Sequence, residues 1–163
     1  MSLRNHRGFS LVELSVVVLI AGLILAFSTP SLNRYLTKAR LHDSASRIAG
    51  EMRLARQKAV TKNNKIWFWT TGDVNYYWIG EQTWQGGTVW SSTIWSGPFY
   101  LPSTVLVKNP NFGGLNYFWY KPDGLPWNGN PETRAPGTVT LISTAADPDT
   151  VRVNVDMSGS VWQ

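Results

Sequence analysis

Apolar residues follow three different patterns along this chain, and each pattern predicts a different kind of element. Residues 14–27, Leu-Ser-Val-Val-Val-Leu-Ile-Ala-Gly-Leu-Ile-Leu-Ala-Phe, carry no charge; counted from Phe9 the run is 19 residues, interrupted only by Glu13 and two serines. That is about the length a helix needs to cross a bilayer. Beyond Pro30 the pattern becomes amphipathic, with Ala45, Ile48, Met52, Ala55 and Ala59 recurring at spacings of three and four. One apolar helical face results, with Arg40, Arg47, Glu51, Lys58 and Lys62 largely off it and Asn63-Asn64 as the stop. From residue 66 the text changes to short β-branched and aromatic runs separated by turn residues. Ile66-Trp67-Phe68-Trp69-Thr70 and Tyr76-Tyr77-Trp78-Ile79 flank Thr71-Gly72-Asp73 as a hairpin. Further strands are predicted at residues 88–90, 94–100, 104–108, 117–120, 138–143 and 151–155, the last pairing with Val161-Trp162 across Ser158-Gly159. Residues 109–114 and 122–136 read as loops. The expected fold class is therefore α+β: a long N-terminal helix, hydrophobic then amphipathic, laid on an antiparallel β-sheet domain.

Charge sharpens this division. The net +5 is segregated: Arg4 and Arg7 precede the apolar run, and nine basic residues lie from Arg34 to Lys65 against Asp43 and Glu51. From Ile66 onward four basic residues face seven acidic ones, so the β-rich part is mildly acidic and any polyanion argument concerns the helix alone. The basic leader favours a cytoplasmic N-terminus and places the body on the far side of the membrane.

Three readings of the N-terminus compete. A secretory signal would use the basic start, the apolar run and Ala26-Phe27-Ser28 as a small-x-small site. A plain anchor needs only the apolar run. Neither has a use for Glu13, a carboxylate at the edge of hydrocarbon that costs on the order of 1 to 3 kcal/mol without a partner. The heptapeptide Gly8-Phe9-Ser10-Leu11-Val12-Glu13-Leu14 resembles the type IV prepilin cleavage motif. That resemblance implies cutting between Gly8 and Phe9 by a dedicated prepilin peptidase, N-methylation of Phe9, and Glu13 as fifth residue of the mature chain. It also implies that Glu13 neutralises the Phe9 amine of a neighbouring subunit during filament assembly, where the alternative is a side chain that merely reaches the interface. Gly22 and Pro30 fall where pilin helices carry residues that loosen or kink them.

The resemblance divides the chain into a leader (residues 1–8), a transmembrane or filament-core helix (9–29), an amphipathic stalk (30–63) and a periplasmic β-rich domain (64–163). The segment Met52-Arg53-Leu54-Ala55-Arg56-Gln57-Lys58-Ala59-Val60 and the closing strand-Gly-strand at residues 156–162 are similar to those of minor pseudopilin H of type II secretion and of FimT-like minor pilins. A non-enzymatic minor pilin or pseudopilin is implied, held in the inner membrane and then in a filament, near its tip or at its initiation. The implied partners are prepilin peptidase, other pilin or pseudopilin subunits, an inner-membrane assembly platform, and the lipid bilayer before assembly. Two alternatives stay open: a DNA-binding minor pilin for transformation, and a self-polymerising major pilin. Nucleic acid is not the expected partner, because Arg152 beside Asp156 makes a poor phosphate trap.

Candidate chemistry is sparse. The two histidines, His6 and His42, are outside the body, and there is no cysteine, so His-based triads and Cys-type metal sites are excluded there. Asp123, Asp147 and Asp149 are read as turn formers rather than calcium ligands, and no metal or cofactor is expected. Nine tryptophans admit two readings, core and turn packing or a partner surface. Trp84, Trp90, Trp95 and Trp127, in Gly, Ser and Asn surroundings, are the candidates for a partner surface.

Overall fold

A computed structural model describes residues 10–86, 89–129, 131–145 and 148–163; of residues 27–30, 84, 86, 89 and 90 it describes the backbone only. The chain is helical from Leu11 to Lys62 (α1) and divides into two compact units, Met1–Leu36 and Thr37–Gln163.

In the first unit the described side chains are exposed on every side of the helix, Leu11, Leu25 and Leu19 among the most open. A helix that is apolar all round suits hydrocarbon rather than water, and this one is long and apolar enough to cross a membrane. Its start is capped. The Glu13 amide donates to Ser10 Oγ at 3.1 Å, and Ser15 Oγ donates back to the Leu11 carbonyl at 2.9 Å.

The second unit begins with the amphipathic part of α1. Leu41, Ala45, Ile48, Ala49, Met52, Ala55 and Ala59 form its buried seam. Four of the seven are alanines, so the seam is narrow. The helix ends at Asn63, which takes φ +56°, while the Asn64 amide donates to the Ala59 carbonyl at 3.2 Å. This is a Schellman closure with asparagine in the left-handed position. Asn64 Nδ2 then reaches Glu81 Oε1 at 2.6 Å, tying the helix end to the first sheet.

Among the described residues twelve strands follow: β1 (Lys65–Trp69), β2 (Tyr76–Gln82), β3 (Trp84–Gly86), β4 (Val89–Trp90), β5 (Ile94–Tyr100), β6 (Val105–Phe112), β7 (Tyr117–Tyr120), β8 (Pro126–Asn128), β9 (Thr133–Arg134), β10 (Gly137–Ser143), β11 (Thr150–Val155) and β12 (Val161–Trp162). A six-stranded sheet runs in the order β5-β2-β1-β7-β8-β9, a four-stranded sheet in the order β12-β11-β10-β6, and β3 pairs with β4. All these pairings are antiparallel. Period-two alternation decides what each face carries. In β1, Ile66 and Phe68 are buried while Trp67 and Trp69 point the other way. Phe68 meets Tyr77, Phe112 and Phe118, with ring centroids 5.5 to 6.2 Å apart. Val105, Val107, Val139, Leu141, Val153 and Val155 supply the second sheet's share of the same core.

The structure adds strands where the sequence reads as loop. β6 continues through Asn109-Pro110-Asn111 to Phe112 because the register against β10 shifts between Thr138 and Thr140. Asn109 (φ +44°) and Pro110 occupy that bulge, where a residue without an N–H breaks no ladder bond. Residues 122–136 contain β8 and β9, which extend the first sheet past β7. Pro126 opens β8, a position a strand tolerates in proline.

Candidate functional site

At the N-terminal end, Gly8 and Phe9 lie outside the described residues. Glu13 stands in the first turn of α1, exposed, with no ion-pair partner among the described residues. Ser10 is the residue sequence reasoning passed over. Ser-x-x-Glu at residues 10–13 is the signature of a capping box, and the Ser10 half of it is formed here. Gly22 has open space where a Cβ would sit, so nothing among the described residues requires glycine there. Pro30 lies inside the helix, where it removes one backbone donor.

At the other end of the chain, the stalk segment and the closing hairpin come together. Arg53 donates through Nε and Nη2 to the Val161 carbonyl at 3.3 and 2.9 Å, and Arg56 Nε donates to the Gly124 carbonyl at 3.0 Å. These two arginines grip backbone, so they fix position without depending on the side chains they touch. The turn of the closing hairpin, which Arg53 holds at Val161, is organised by Asp156, whose Oδ1 accepts from the Ser158 amide (2.8 Å), Ser158 Oγ (2.7 Å) and the Ser160 amide (2.9 Å). Hydrogen bonding from Ser158, helped by the Ser160 amide and the nearby Arg56 charge, holds the Asp156 carboxyl below its ordinary value. Beneath the turn, burial pushes the Tyr120 hydroxyl well above its ordinary value, and that hydroxyl donates to the Gly159 carbonyl at 3.4 Å.

The aromatic residues divide by place. Trp84 and Trp90 pair through their backbones in β3 and β4, and their side chains lie outside the description. Trp127 is half-buried, its ring covered by Lys121 Nζ at 3.9 Å and Arg134 Cζ at 4.7 Å from the centroid. Both Lys121 and Lys65 pair with Glu132, the latter at 2.7 Å. Burial opposes the charge on Glu132, but hydrogen bonds from Lys121 and Lys65 outweigh it and hold the carboxyl below its ordinary value. Trp95 is 44% exposed and stands on the outer face of the six-stranded sheet. With Trp67, Trp69, Trp78 and Tyr117 it lines an open cavity of about 500 Å³. Those four partners were not singled out from the sequence. The signal was present in the alternation of Trp67-Phe68-Trp69, which sends both tryptophans to one face, but which neighbouring strands share that face depends on register.

Among the described residues no group of three or more His, Cys, Asp or Glu side chains is placed to hold a metal ion. The backbone-gripping arginines hold the closing hairpin and the Gly124 turn to the stalk helix of their own chain.

Comparison with known proteins agrees with that reading of the fold. The chain resembles the crystal structure of the minor pseudopilin EpsH of the Vibrio cholerae type II secretion system, with TM-score 0.52 and 14% identity over 77% of this chain and 93% of that one. It resembles equally the Pseudomonas aeruginosa type IV minor pilin FimU, with TM-score 0.52 and 13% identity over 77% and 88% of the two chains. No curated protein matches the chain by sequence. The family model for the prokaryotic N-terminal methylation motif matches residues 3–29. The model for type II transport protein GspH matches residues 44–159, which contain the gripping arginines, the six-stranded sheet and all of the four-stranded sheet except β12, and the chain therefore belongs to the GspH family.

Proposed function

We propose that this chain is a minor subunit of a type II secretion pseudopilus or type IV pilus, cleaved between Gly8 and Phe9, methylated on Phe9, and placed at filament initiation or the tip. The observation that carries this reading is the pairing of an N-terminal methylation motif at residues 3–29 with a GspH-family body at residues 44–159. In it, residues 1–8 are a leader removed by prepilin peptidase, and residues 9–29 hold the protein in the inner membrane before assembly. Residues 30–63 form the stalk, and residues 64–163 stand in the periplasm. The exposed apolar helix supports both stages, because its side chains require lipid first and neighbouring subunits later. The partners are then the peptidase, an inner-membrane assembly platform and other pilin or pseudopilin subunits, and the role is structural rather than catalytic.

Mass spectrometry of the N-terminus, from membranes of cells with and without prepilin peptidase, tests this directly. A chain beginning at N-methyl-Phe9 only when the peptidase is present is the expected result. A start after Ser28, or an uncut Met1, would mean a secreted or simply anchored protein.

A further inference from the structure

The amphipathic part of α1 and the closing hairpin border a groove of about 540 Å³, lined from the helix by Arg53, Arg56, Gln57, Val60 and Thr61 and from the hairpin by residues 159–161. Arg53 and Arg56 stand at i and i+3, so one helical face presents both guanidinium groups to it. Backbone ties each group down. Arg53 spends Nε and Nη2 on the Val161 carbonyl, and Arg56 spends Nε on the Gly124 carbonyl. Bare turns make room for Arg56: a Cβ on Gly124 or Gly159 would lie 3.4 or 3.2 Å from its Nε. The rest of the donor set is unspent. Arg53 Nη1 and both Nη atoms of Arg56 have no hydrogen-bond partner among the described residues, and neither arginine has an ion-pair partner there. Asp156, the acid whose charge Arg56 feels, turns its Oδ1 to the Ser158 and Ser160 amides. No carboxylate lines the groove.

We infer that this groove is a docking site for a carboxylate side chain that a partner protein presents between uncharged neighbours in its own sequence. Free guanidinium N–H groups meet a carboxylate in paired, charge-assisted hydrogen bonds. Both guanidinium groups are already oriented by the carbonyls they grip, so the carboxylate orders little that is not ordered beforehand. Val60 and Val161 supply apolar walls for the residues that flank it. Charge around the groove decides against a polyanion. From Ile66 onward four basic residues face seven acidic ones, and Asp123 and Asp156 stand in the two turns whose backbone meets Arg56. A phosphate backbone carries a charge at every step and would run from the two cations onto those carboxylates. A single carboxylate ends where the cations end. This goes beyond the role in a filament and does not rest on N-terminal processing.

The test is fluorescence anisotropy of a labelled, end-capped Ala-Val-Glu-Val-Ala peptide titrated with the full chain in phosphatidylcholine nanodiscs. Saturable binding is expected, weakened as salt rises from about 0.05 M to about 0.5 M. The same peptide with Gln in place of Glu should bind about tenfold more weakly or worse. Gln57→Glu supplies a carboxylate to the groove from the chain itself while both arginines keep their carbonyl contacts, and it should weaken binding by about tenfold or more. Arg40→Gln makes the same change in net charge at an exposed position outside the groove and should leave binding unchanged. Thermal unfolding of each variant separates lost binding from lost folding, and Thr61→Glu replaces Gln57→Glu should the latter unfold. No saturable binding, equal binding of the Glu and Gln peptides, or binding untouched by the added carboxylate overturns the inference. Displacement of the labelled peptide by a dodecathymidylate strand at lower concentration than by unlabelled peptide would overturn it as well and give the groove to a phosphate backbone. None of these results bears on N-terminal processing, which the mass-spectrometric test reads separately.

Discussion

At Gly159 the backbone admits no other residue without strain. Its φ is +79°, and a Cβ there would lie 2.4 Å from the Gly124 carbonyl oxygen, the same oxygen that Arg56 holds. Gly159→Ala should therefore cost about 1–3 kcal/mol, combining a left-handed alanine with the clash. A lowered thermal midpoint with an unchanged far-ultraviolet spectrum would register it. The turn itself was legible: Asp156, Ser158 and Gly159 are turn formers between two short apolar strands, and the hairpin lies where they place it. The reason glycine is obligatory was not. Arg56 and Gly124 are 68 residues apart in the chain, and their contact exists only once the helix, β7 and the closing hairpin have met. Ser10 teaches the converse, since its capping role is local and a Ser-x-x-Glu reading would have found it.

Elements were legible where the hydrophobic period was regular. The seam of Ala45, Ile48, Met52, Ala55 and Ala59 is buried as its three-and-four spacing requires, and β5, β7 and β12 have the limits the alternation predicts. Period failed where turn residues serve inside strands. Pro110 and Asn109 in β6, and Pro126 in β8, mark loops by composition, yet a bulge and a strand start absorb them. What joins β8 and β9 to the rest is partly electrostatic: Glu132, between those strands, takes Lys65 from β1 and Lys121 from the end of β7. Because the folded carboxyl is held below its ordinary value of 4.5, its contribution is present above that value and is lost as pH falls through the lower, folded one. Glu132→Gln removes the contribution at neutral pH. The variant's thermal midpoint should start slightly lower than that of the natural chain and fall less between about pH 6 and about pH 3. The difference will be small, because Glu132 is about a third exposed and water screens the pair.

On the scale of the whole molecule, the two units treat their apolar side chains in opposite ways. The apolar helix of the first unit is exposed throughout its described length, while the second unit buries its seam under two sheets. A carboxylate at the start of the exposed helix is the one charged feature of that apolar run, and two roles compete for it. As part of a capping box, Glu13 would stabilise the first turn of α1 within its own chain. As an assembly group, it would neutralise the amine that cleavage creates on Phe9 of an adjacent subunit, a pairing worth most when both charges leave water together. The two roles separate by chemistry, because glutamine can still serve in a capping box but carries no charge, and Ser10→Ala removes the cap while leaving the carboxylate. If charge neutralisation is the function, Glu13→Gln and Glu13→Ala should both insert in the membrane, be processed normally and fail to enter filaments, while Ser10→Ala enters them. Cross-linking to neighbouring subunits in sheared filaments is the measurement. Normal incorporation of Glu13→Gln alongside failure of Ser10→Ala would assign the residue to capping, and the filament contact would have to be sought elsewhere on the helix.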